Sequence, residues 1–249
     1  FGLGAYGSAI LTTHWDWKAP TAMLASAAVV GVVAYVVARV ILRLKGHYLA
    51  MATLGLGIIV TIVLTSEASL TGGPDGMAVG DFSVFGFRLY GERVWYWAFA
   101  GILVAAVVLA GNLVESPAGR ALRALHGSEV AARVVGVDTA SFKTRVFVLS
   151  AVVAAVMGSL TAHYLGFITP QVAGFHKSVE LVTMVVVGGM ASIWGSVFGA
   201  ALLSLLPELL AHFEGFETIV FGLILVATMI FLPRGIVPSI VGRLTRREG

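Results

Sequence analysis

The sequence predicts an all-α, polytopic integral membrane protein, and three observations support this fold class. Hydrophobic residues make up 58% of the chain and charged residues 12%, whereas about a quarter of the residues in soluble proteins are charged. The mean hydropathy is +0.96. Apolar runs of about 20 residues, the length that crosses a bilayer, recur along the chain. Because backbone polar groups must be satisfied internally in lipid, these runs are predicted to be helices.

Eight apolar runs are candidate transmembrane or half-membrane helices. They cover residues 1–13, 21–42, 47–66, 94–114, 141–165, 179–190, 195–211 and 217–233. The runs 179–190 and 195–211 are short and meet at a glycine-rich junction, GGMASIWG, so they are expected to form two spans or one broken, re-entrant hairpin. The chain begins inside an apolar, Gly-rich run with no charged segment before it, so its start is interpreted as truncated within a helix, and not as a signal peptide. We expect residues 1–249 to form a single transmembrane domain.

Basic residues indicate which side of the membrane is cytoplasmic, because Lys and Arg concentrate on that side. With the spans threaded in order, 12 of the 16 Lys and Arg residues fall on one side. These residues are Arg39, Arg43, Lys45, Arg120, Arg123, Arg133, Lys143, Arg145, Arg234, Arg243, Arg246 and Arg247. We therefore expect the polar stretch 116–138 and the C-terminus to be cytoplasmic.

The polar stretch 116–138 lies between apolar runs and predicts a folded loop with two helices. Ser116 is a candidate N-cap for the first helix, with Pro117 in its first turn. Ser128 is a candidate N-cap for the second helix, which is expected to end at Gly136. Loops that only connect spans rarely carry such signals, so this loop is the candidate contact with a cytoplasmic partner.

Several kinds of chemistry are not expected, because their sequence motifs are missing. The chain has no GxxxxGK[ST] phosphate loop, so it is not expected to hydrolyse ATP by itself. The six histidines show no paired metal-ligand spacing, and the chain has no cysteine, so we expect no metal site. No GxSxG elbow points to a hydrolase. The basic residues are scattered, which disfavours nucleic-acid binding.

Six segments carry unusual local patterns, in a fixed order along nearly the whole chain. They are GHYLAMATLGLGIIV at 46–60, LTGGPDGM at 70–77, GRALRALHGSEVAARVVGVD at 119–138, HYLGFITP at 163–170, SVELVTMVVVGGMASIWGSVFGAALLSLLPELL at 178–210 and FLPRGIVP at 231–238. These segments resemble the LivM type of permease subunit in branched-chain amino acid ABC importers. The resemblance implies a second permease subunit, two cytoplasmic ATPase subunits that hold ATP and Mg²⁺, and a periplasmic or lipid-anchored binding protein. It also implies a multi-pass protein of the bacterial plasma (inner) membrane, in contact with membrane lipid.

The same resemblance implies that residues 128–136 form a coupling helix that docks in a groove of an ATPase subunit. The residues assigned to this role are Ser128, Glu129, Ala131, Ala132, Arg133 and Gly136. Ala131 and Ala132 are expected to give a small face for close docking, and Gly136 to end the helix with a sharp turn. Arg133 follows Glu129 by four residues, so the two can pair, or either charge can face the ATPase. An alternative is an amphipathic helix lying on anionic lipid.

The departure from the family pattern is that only EVAAR and the downstream glycine match the EAA-type coupling motif. The docking register is therefore not defined by the resemblance.

A route for an aliphatic amino acid needs apolar walls with a few backbone or hydroxyl groups for hydrogen bonding. The candidate residues for this route are Thr53, Gly55, Gly57, Glu180, Gly188 and Gly189. The alternative interpretation is that the glycines only allow close helix packing. Glu180 lies near the start of its run. Its role is either structural, since the helix dipole stabilises an anion there, or it contacts the ammonium group of a substrate.

Other functions remain open on the sequence alone. A related importer that carries urea or short amides is one alternative. A secondary transporter or channel that works alone is another, although proton- and sodium-coupled transport normally requires carboxylates at mid-membrane depth. A third is a scaffold whose loop recruits a soluble protein.

Overall fold

The computed structural model describes residues 1–44, 46–84, 87–134, 136–190, 192–210 and residue 223. Within this part the chain is mostly helical. The helices are α1 (Gly2–His14), α2 (Ala19–Ile41), α3 (His47–Ser66), α4 (Ala68–Thr71), α5 (Glu92–Glu115), α6 (Pro117–Gly127), α7 (Glu129–Val134), α8 (Thr139–Leu165), α9 (Phe175–Gly188) and α10 (Ile193–Leu210). The eighth predicted run, 217–233, lies outside the described residues except at position 223.

Four helices, α2, α3, α5 and α8, are long and apolar enough to cross a membrane. Their ends lie within a few residues of four predicted spans, so these spans are confirmed. A helix rises about 1.5 Å per residue, so the 14 residues of α9 extend about 21 Å. This length falls short of a hydrocarbon core of about 30 Å, so α9 is shorter than a full span.

Contacts within the chain define two compact units, each described by itself. The first unit comprises Phe1–Ala105 and Asn112–Phe175, and the second comprises Ala106–Gly111 and the chain from His176 onward. The expectation of a single transmembrane domain stays a prediction.

The core of the first unit is a close contact of α1, α2 and α8 through small residues. A side chain at Gly4 would overlap the backbone of Ala155, and one at Gly158 would overlap the carbonyl group of Phe1. The Ser26 hydroxyl donates a hydrogen bond to the Gly4 carbonyl at 3.0 Å. In lipid, helices associate by van der Waals packing and interhelical hydrogen bonds, so small residues at the interface bring the backbones together.

Helices α2 and α8 run antiparallel along this core. Ala27 and Val30 of α2 pack with Ala155 of α8, and Ala19 near the start of α2 packs with Leu160 near the end of α8. The end of α2 therefore lies beside the start of α8, which immediately follows the loop 116–138.

Four strands of two residues each, which the sequence did not predict, lie in the described part of the first unit. They are β1 (Met77–Ala78), β2 (Ser83–Val84), β3 (Phe87–Arg88) and β4 (Phe167–Ile168). Strands β1 and β4 pair antiparallel, as do β2 and β3. Gly76 has a φ of +81°, and a side chain there would overlap the Ile168 carbonyl. The segment that follows α3 therefore crosses directly over the C-terminal end of α8.

The second unit contains a hairpin of α9 and α10 that is closed by glycines. A side chain at Gly188 would overlap the carbonyl of Gly195, and one at Gly199 would overlap the carbonyl of Met184. These pairings require the two helices to run antiparallel. Gly189, with a φ of +121°, lies directly after α9, so the helix break predicted at this junction is observed.

Candidate functional site

The loop between α5 and α8 contains the two helices that the sequence predicts, and both N-caps are formed. The Ser116 hydroxyl accepts a hydrogen bond from the Gly119 N–H at 3.2 Å, with Pro117 as the first residue of α6. The Ser128 hydroxyl accepts a hydrogen bond from the Ala131 N–H at 3.2 Å. Each cap satisfies one of the amide groups that a helix leaves unpaired at its start.

The C-terminal end of α7 is closed by a Schellman motif. The Val137 N–H donates to the Ala132 carbonyl at 2.9 Å, and the Gly136 N–H donates to the Arg133 carbonyl at 3.0 Å. Gly136 has a φ of +85°, the left-handed conformation that this motif requires and that favours glycine. The six-residue helix α7 is therefore bounded on both sides by specific hydrogen bonds.

The carboxylate of Glu129 lies between two cations. Its Oε1 pairs with Arg133 Nη2 at 2.7 Å on the same helix, and its Oε2 pairs with Lys143 Nζ at 2.6 Å on α8. The Arg133 Nε also donates a hydrogen bond to the Thr139 hydroxyl of α8 at 2.9 Å. Two polar contacts therefore fix α7 against the first turns of α8. We call Glu129, Arg133, Thr139 and Lys143 the α7–α8 clamp.

The clamp favours the ionised form of Glu129. The hydrogen bond from Lys143, the attraction of that cation and the matching contacts of Arg133 outweigh desolvation, and they lower the pKa of the Glu129 carboxyl below its ordinary value of 4.5. The Glu129 side chain is 31% exposed, so water and salt screen the ion pairs in part. The carboxylate is therefore negatively charged at neutral pH.

The remaining side chains of α7 divide into an exposed and a buried side. Val130 is 74% exposed and Val134 is 82% exposed, and Ala131 is exposed beside them. These three residues share one side of the helix, which we call the apolar face of α7. Ala132 is only 2% exposed because it packs against its own chain. The two alanines that were expected to form one small docking face therefore point in different directions.

Sequence reasoning missed Lys143, Val130 and Val134. Lys143 is 14 residues from Glu129, and no local spacing rule relates the two. The i, i+4 spacing of Val130 and Val134 was a readable signal, since such residues share a helix face.

The route candidates on α3 are not enclosed by the described part of the chain. The Thr53 hydroxyl donates to the carbonyls of Leu49 and Ala50 on its own helix, at 3.1 and 2.9 Å. A side chain added at Gly55 or Gly57 would meet no atom within 4 Å. The described chain thus shows no close helix packing at these two glycines, and their role in a route stays a prediction.

The route candidates of the second unit have partners within that unit. Gly188 is one of the glycines that allow α9 and α10 to touch, as the packing interpretation expects. Glu180 forms an ion pair with Lys177 at 2.9 Å, one turn earlier on α9. In the part of the chain that the structure describes, no three or more His, Asp or Glu side chains converge to hold a metal ion.

The four apolar spans and the folded loop between α5 and α8 define a polytopic membrane protein. The model of the family described as "Branched-chain amino acid transport system / permease component" matches residues 1–233. The chain belongs to this family, as the resemblance to LivM-type permeases predicts.

Individual relatives agree with the family match. The chain is 30% identical to the high-affinity branched-chain amino acid transport system permease protein LivM of Salmonella typhimurium and 29% identical to LivM of Escherichia coli, and both alignments cover all of it. It spans 64% of the length of each of these relatives. It is also 28% identical to LivH of Escherichia coli, over 57% of this chain and 46% of that protein. No solved structure matches the chain.

Proposed function

We propose that the chain is the transmembrane permease subunit of an ATP-binding-cassette importer for branched-chain or similar amino acids. The family match and the LivM relatives, whose names state this transport activity, support the substrate class. The interiors of α2, α3, α5 and α8 contain no Asp or Glu, which disfavours proton or sodium coupling through these helices. The energy for transport then comes from partner subunits.

The single observation that carries this proposal is that the α7–α8 clamp holds a helix whose own apolar face is exposed. In the proposed mechanism, the apolar face of α7 docks on an ATPase subunit, and α7 moves when the ATPases close. Because Glu129 binds Lys143 and Arg133 binds Thr139, the movement passes to α8 through two polar contacts and the short connection after Gly136. Helix α8 is packed against α1 and α2, so its displacement changes the core of the first unit.

The proposed assembly contains a second permease subunit, two cytoplasmic ATPase subunits and a periplasmic or lipid-anchored substrate-binding protein. The 28% identity to LivH supports a partner permease of similar build. The chain itself is non-catalytic and binds no cofactor, and the ATPase subunits hold ATP and Mg²⁺. It lies in the bacterial plasma membrane, with the loop 116–138 and the C-terminus on the cytoplasmic side.

The decisive experiment measures ATP hydrolysis and amino acid uptake together, in vesicles that contain the assembled transporter and its binding protein. The double substitution Glu129→Gln and Arg133→Gln removes the charges of α7 that hold α8. We expect hydrolysis to continue while uptake falls, because the ATPase signal no longer reaches α8. The matched control is Glu115→Gln with Arg123→Gln, which also removes one acid and one base near the loop but leaves the clamp intact. Equal coupled uptake in both double variants would remove the role assigned to the clamp.

The same vesicles separate the alternative functions. Uptake of urea or a short amide, with no uptake of leucine, isoleucine or valine, would move the substrate class to amides. Flux through vesicles that contain this chain alone, without ATPases, would support a secondary transporter or channel.

A further inference from the structure

A cavity of about 830 Å³ lies in the first unit, where the end of α2 meets the start of α8. Arg39 and Arg43 line it from the α2 side and Arg145 lines it from α8, together with Tyr35 and Val148. The volume is within the range of about 300–1,000 Å³ that is typical of small-molecule sites. None of these residues takes part in the clamp or in the route candidates described above.

The lining of the cavity has an excess of positive charge. Three arginines and one carboxylate, Asp138, line it. The Asp138 carboxylate already accepts a hydrogen bond from the Ser141 N–H at 3.1 Å, as the N-cap of α8. The start of α8 adds the positive end of a helix dipole to the same lining. The charge pattern therefore complements an anion.

The arginines are available to such an anion. The Arg39 guanidinium lies over the ring of Tyr35 at 5.0 Å, and that of Arg145 lies over the ring of Phe142 at 5.9 Å. These cation–π contacts restrain both groups without using their N–H donors. Among the described residues, Arg39, Arg43 and Arg145 form no salt bridge.

Apolar side chains also line the cavity, among them Leu149, which is 49% exposed. By helical spacing, exposed Val32 and Val36 lie on the Arg39 side of α2, and exposed Val153 lies on the Leu149 side of α8. The 23 residues of α2 extend about 34 Å, so its last turn lies at the level of the lipid headgroups. An occupant with an anionic head and a long apolar body fits this arrangement, because the head meets the arginines and the body covers the valines.

We propose that this cavity binds the headgroup of an anionic phospholipid, with the acyl chains lying along α2 and α8. The arginines donate hydrogen bonds to the phosphate oxygens, and the first turn of α8 adds its dipole. The lipid then touches the residue that caps α8 directly after the coupling loop. Lipid binding does not depend on transport, so the proposal is tested separately from the function proposed above.

The test compares phosphatidylglycerol with phosphatidylcholine bound to the assembled transporter in nanodiscs, counted by native mass spectrometry. Arg39→Gln with Arg145→Gln removes one cation from each side of the cavity. We expect about 30-fold weaker retention of phosphatidylglycerol, the product of two lost lysine- or arginine-type contacts at a membrane surface. Lys18→Gln with Arg93→Gln is the matched control, since it removes two cations elsewhere in the chain, and it should retain the lipid within about threefold of the unmodified protein.

A second variant tests the space instead of the charge. Thr144→Trp fills the cavity while all three arginines remain, and it should also lose phosphatidylglycerol. Three results would overturn the proposal. The arginine double variant retains as much phosphatidylglycerol as the unmodified protein; inorganic phosphate displaces the lipid as well as excess phosphatidylglycerol does, which would identify a soluble anion as the ligand; or the lipid is retained only when the ATPase subunits are left out of the assembly, which would identify the cavity as a protein interface.

Discussion

Gly4 provides a direct test of the packing between α1 and α8. In Gly4→Ala, the new methyl group would overlap the backbone of Ala155, including its carbonyl carbon at 2.6 Å. A backbone atom cannot rotate away as a side chain does, so the two helices must separate locally. Overpacking of this kind costs about 1–3 kcal/mol. We therefore expect the free energy of unfolding to fall by that amount.

The matched control is Gly101→Ala on α5, where an added side chain meets no atom of the described residues within 4 Å. This substitution should be neutral or stabilise the helix by about 0.5–1 kcal/mol, because alanine has less conformational freedom to lose than glycine. Of the two alanine variants, only Gly4→Ala is therefore expected to be less stable than the unmodified protein. The clash at Gly4 involves the backbone of residue 155, so Ala155→Gly should not rescue Gly4→Ala.

Unfolding is measured by titrating the purified protein in mixed micelles with sodium dodecyl sulfate and following tryptophan fluorescence. The chain has five tryptophans, and Trp95 is buried in the first unit at 6% exposure. A Gly4→Ala protein as stable as Gly101→Ala would refute the proposed contact. Rescue by Ala155→Gly would show that the clash is with a side chain.

Three further predictions concern the loop, and all are read from the amide hydrogen exchange of residues 128–137. Lys143→Gln should speed exchange in α7, because Glu129 loses the shorter of its two ion pairs, the one that joins it to α8. Arg120→Gln should leave exchange unchanged. Gly136→Ala should weaken the end of α7 by about 1–2 kcal/mol, since alanine is strained at a φ of +85°; Gly127→Ala, in an open helical position, is its control. The pKa of Glu129 is lowered by folding, so the protection it gives is complete above its ordinary value of 4.5 and is lost as the pH falls through the lowered pKa.

Each of these three has a clear contrary outcome. Unchanged exchange in Lys143→Gln would mean that the ion pair does not hold α7. Equal exchange in Gly136→Ala and Gly127→Ala would mean that the Schellman motif is dispensable. The Glu129→Gln protein should show no step in protection in the acidic range, and a step of the same size in that variant would assign the titration to another group.

The long spans and the loop caps are the parts of the fold that the sequence predicted well. Spans such as α2 and α8 are defined by hydrophobic length, which is a property of consecutive residues. The caps at Ser116 and Ser128 and the turn at Gly136 depend on contacts within five residues. Local chemistry is sufficient for both, so no knowledge of the tertiary structure was needed.

The clamp and the small strands depend on contacts between distant residues, which the sequence pattern does not encode. Lys143 reaches Glu129 only because α8 starts beside α7, and β1 meets β4 only because the segment after α3 crosses the end of α8. The burial of Ala132 has the same origin. Two adjacent alanines are equivalent in the sequence, and only the tertiary contacts of α7 distinguish Ala131 from Ala132.

The route candidates show the limit of reasoning from glycine patterns. Gly188 has its neighbours in the α9–α10 hairpin, whereas Gly55 and Gly57 have none among the described residues within reach of an added side chain. Both kinds of site look the same in the sequence, because glycine serves close packing and open passages alike. Only the structure distinguishes a glycine that packs against a neighbouring helix from one that does not.

The bare surface of α5 bears on how this protein is made. Among the residues that the structure describes, none of the most apolar 18-residue window of this helix is buried. Transfer from water into hydrocarbon therefore favours this part of α5 in the bilayer without contacts from the described chain. It follows that the hydrophobic length of α5 is sufficient for its insertion into a bilayer, before it contacts any other helix of the described part of the chain.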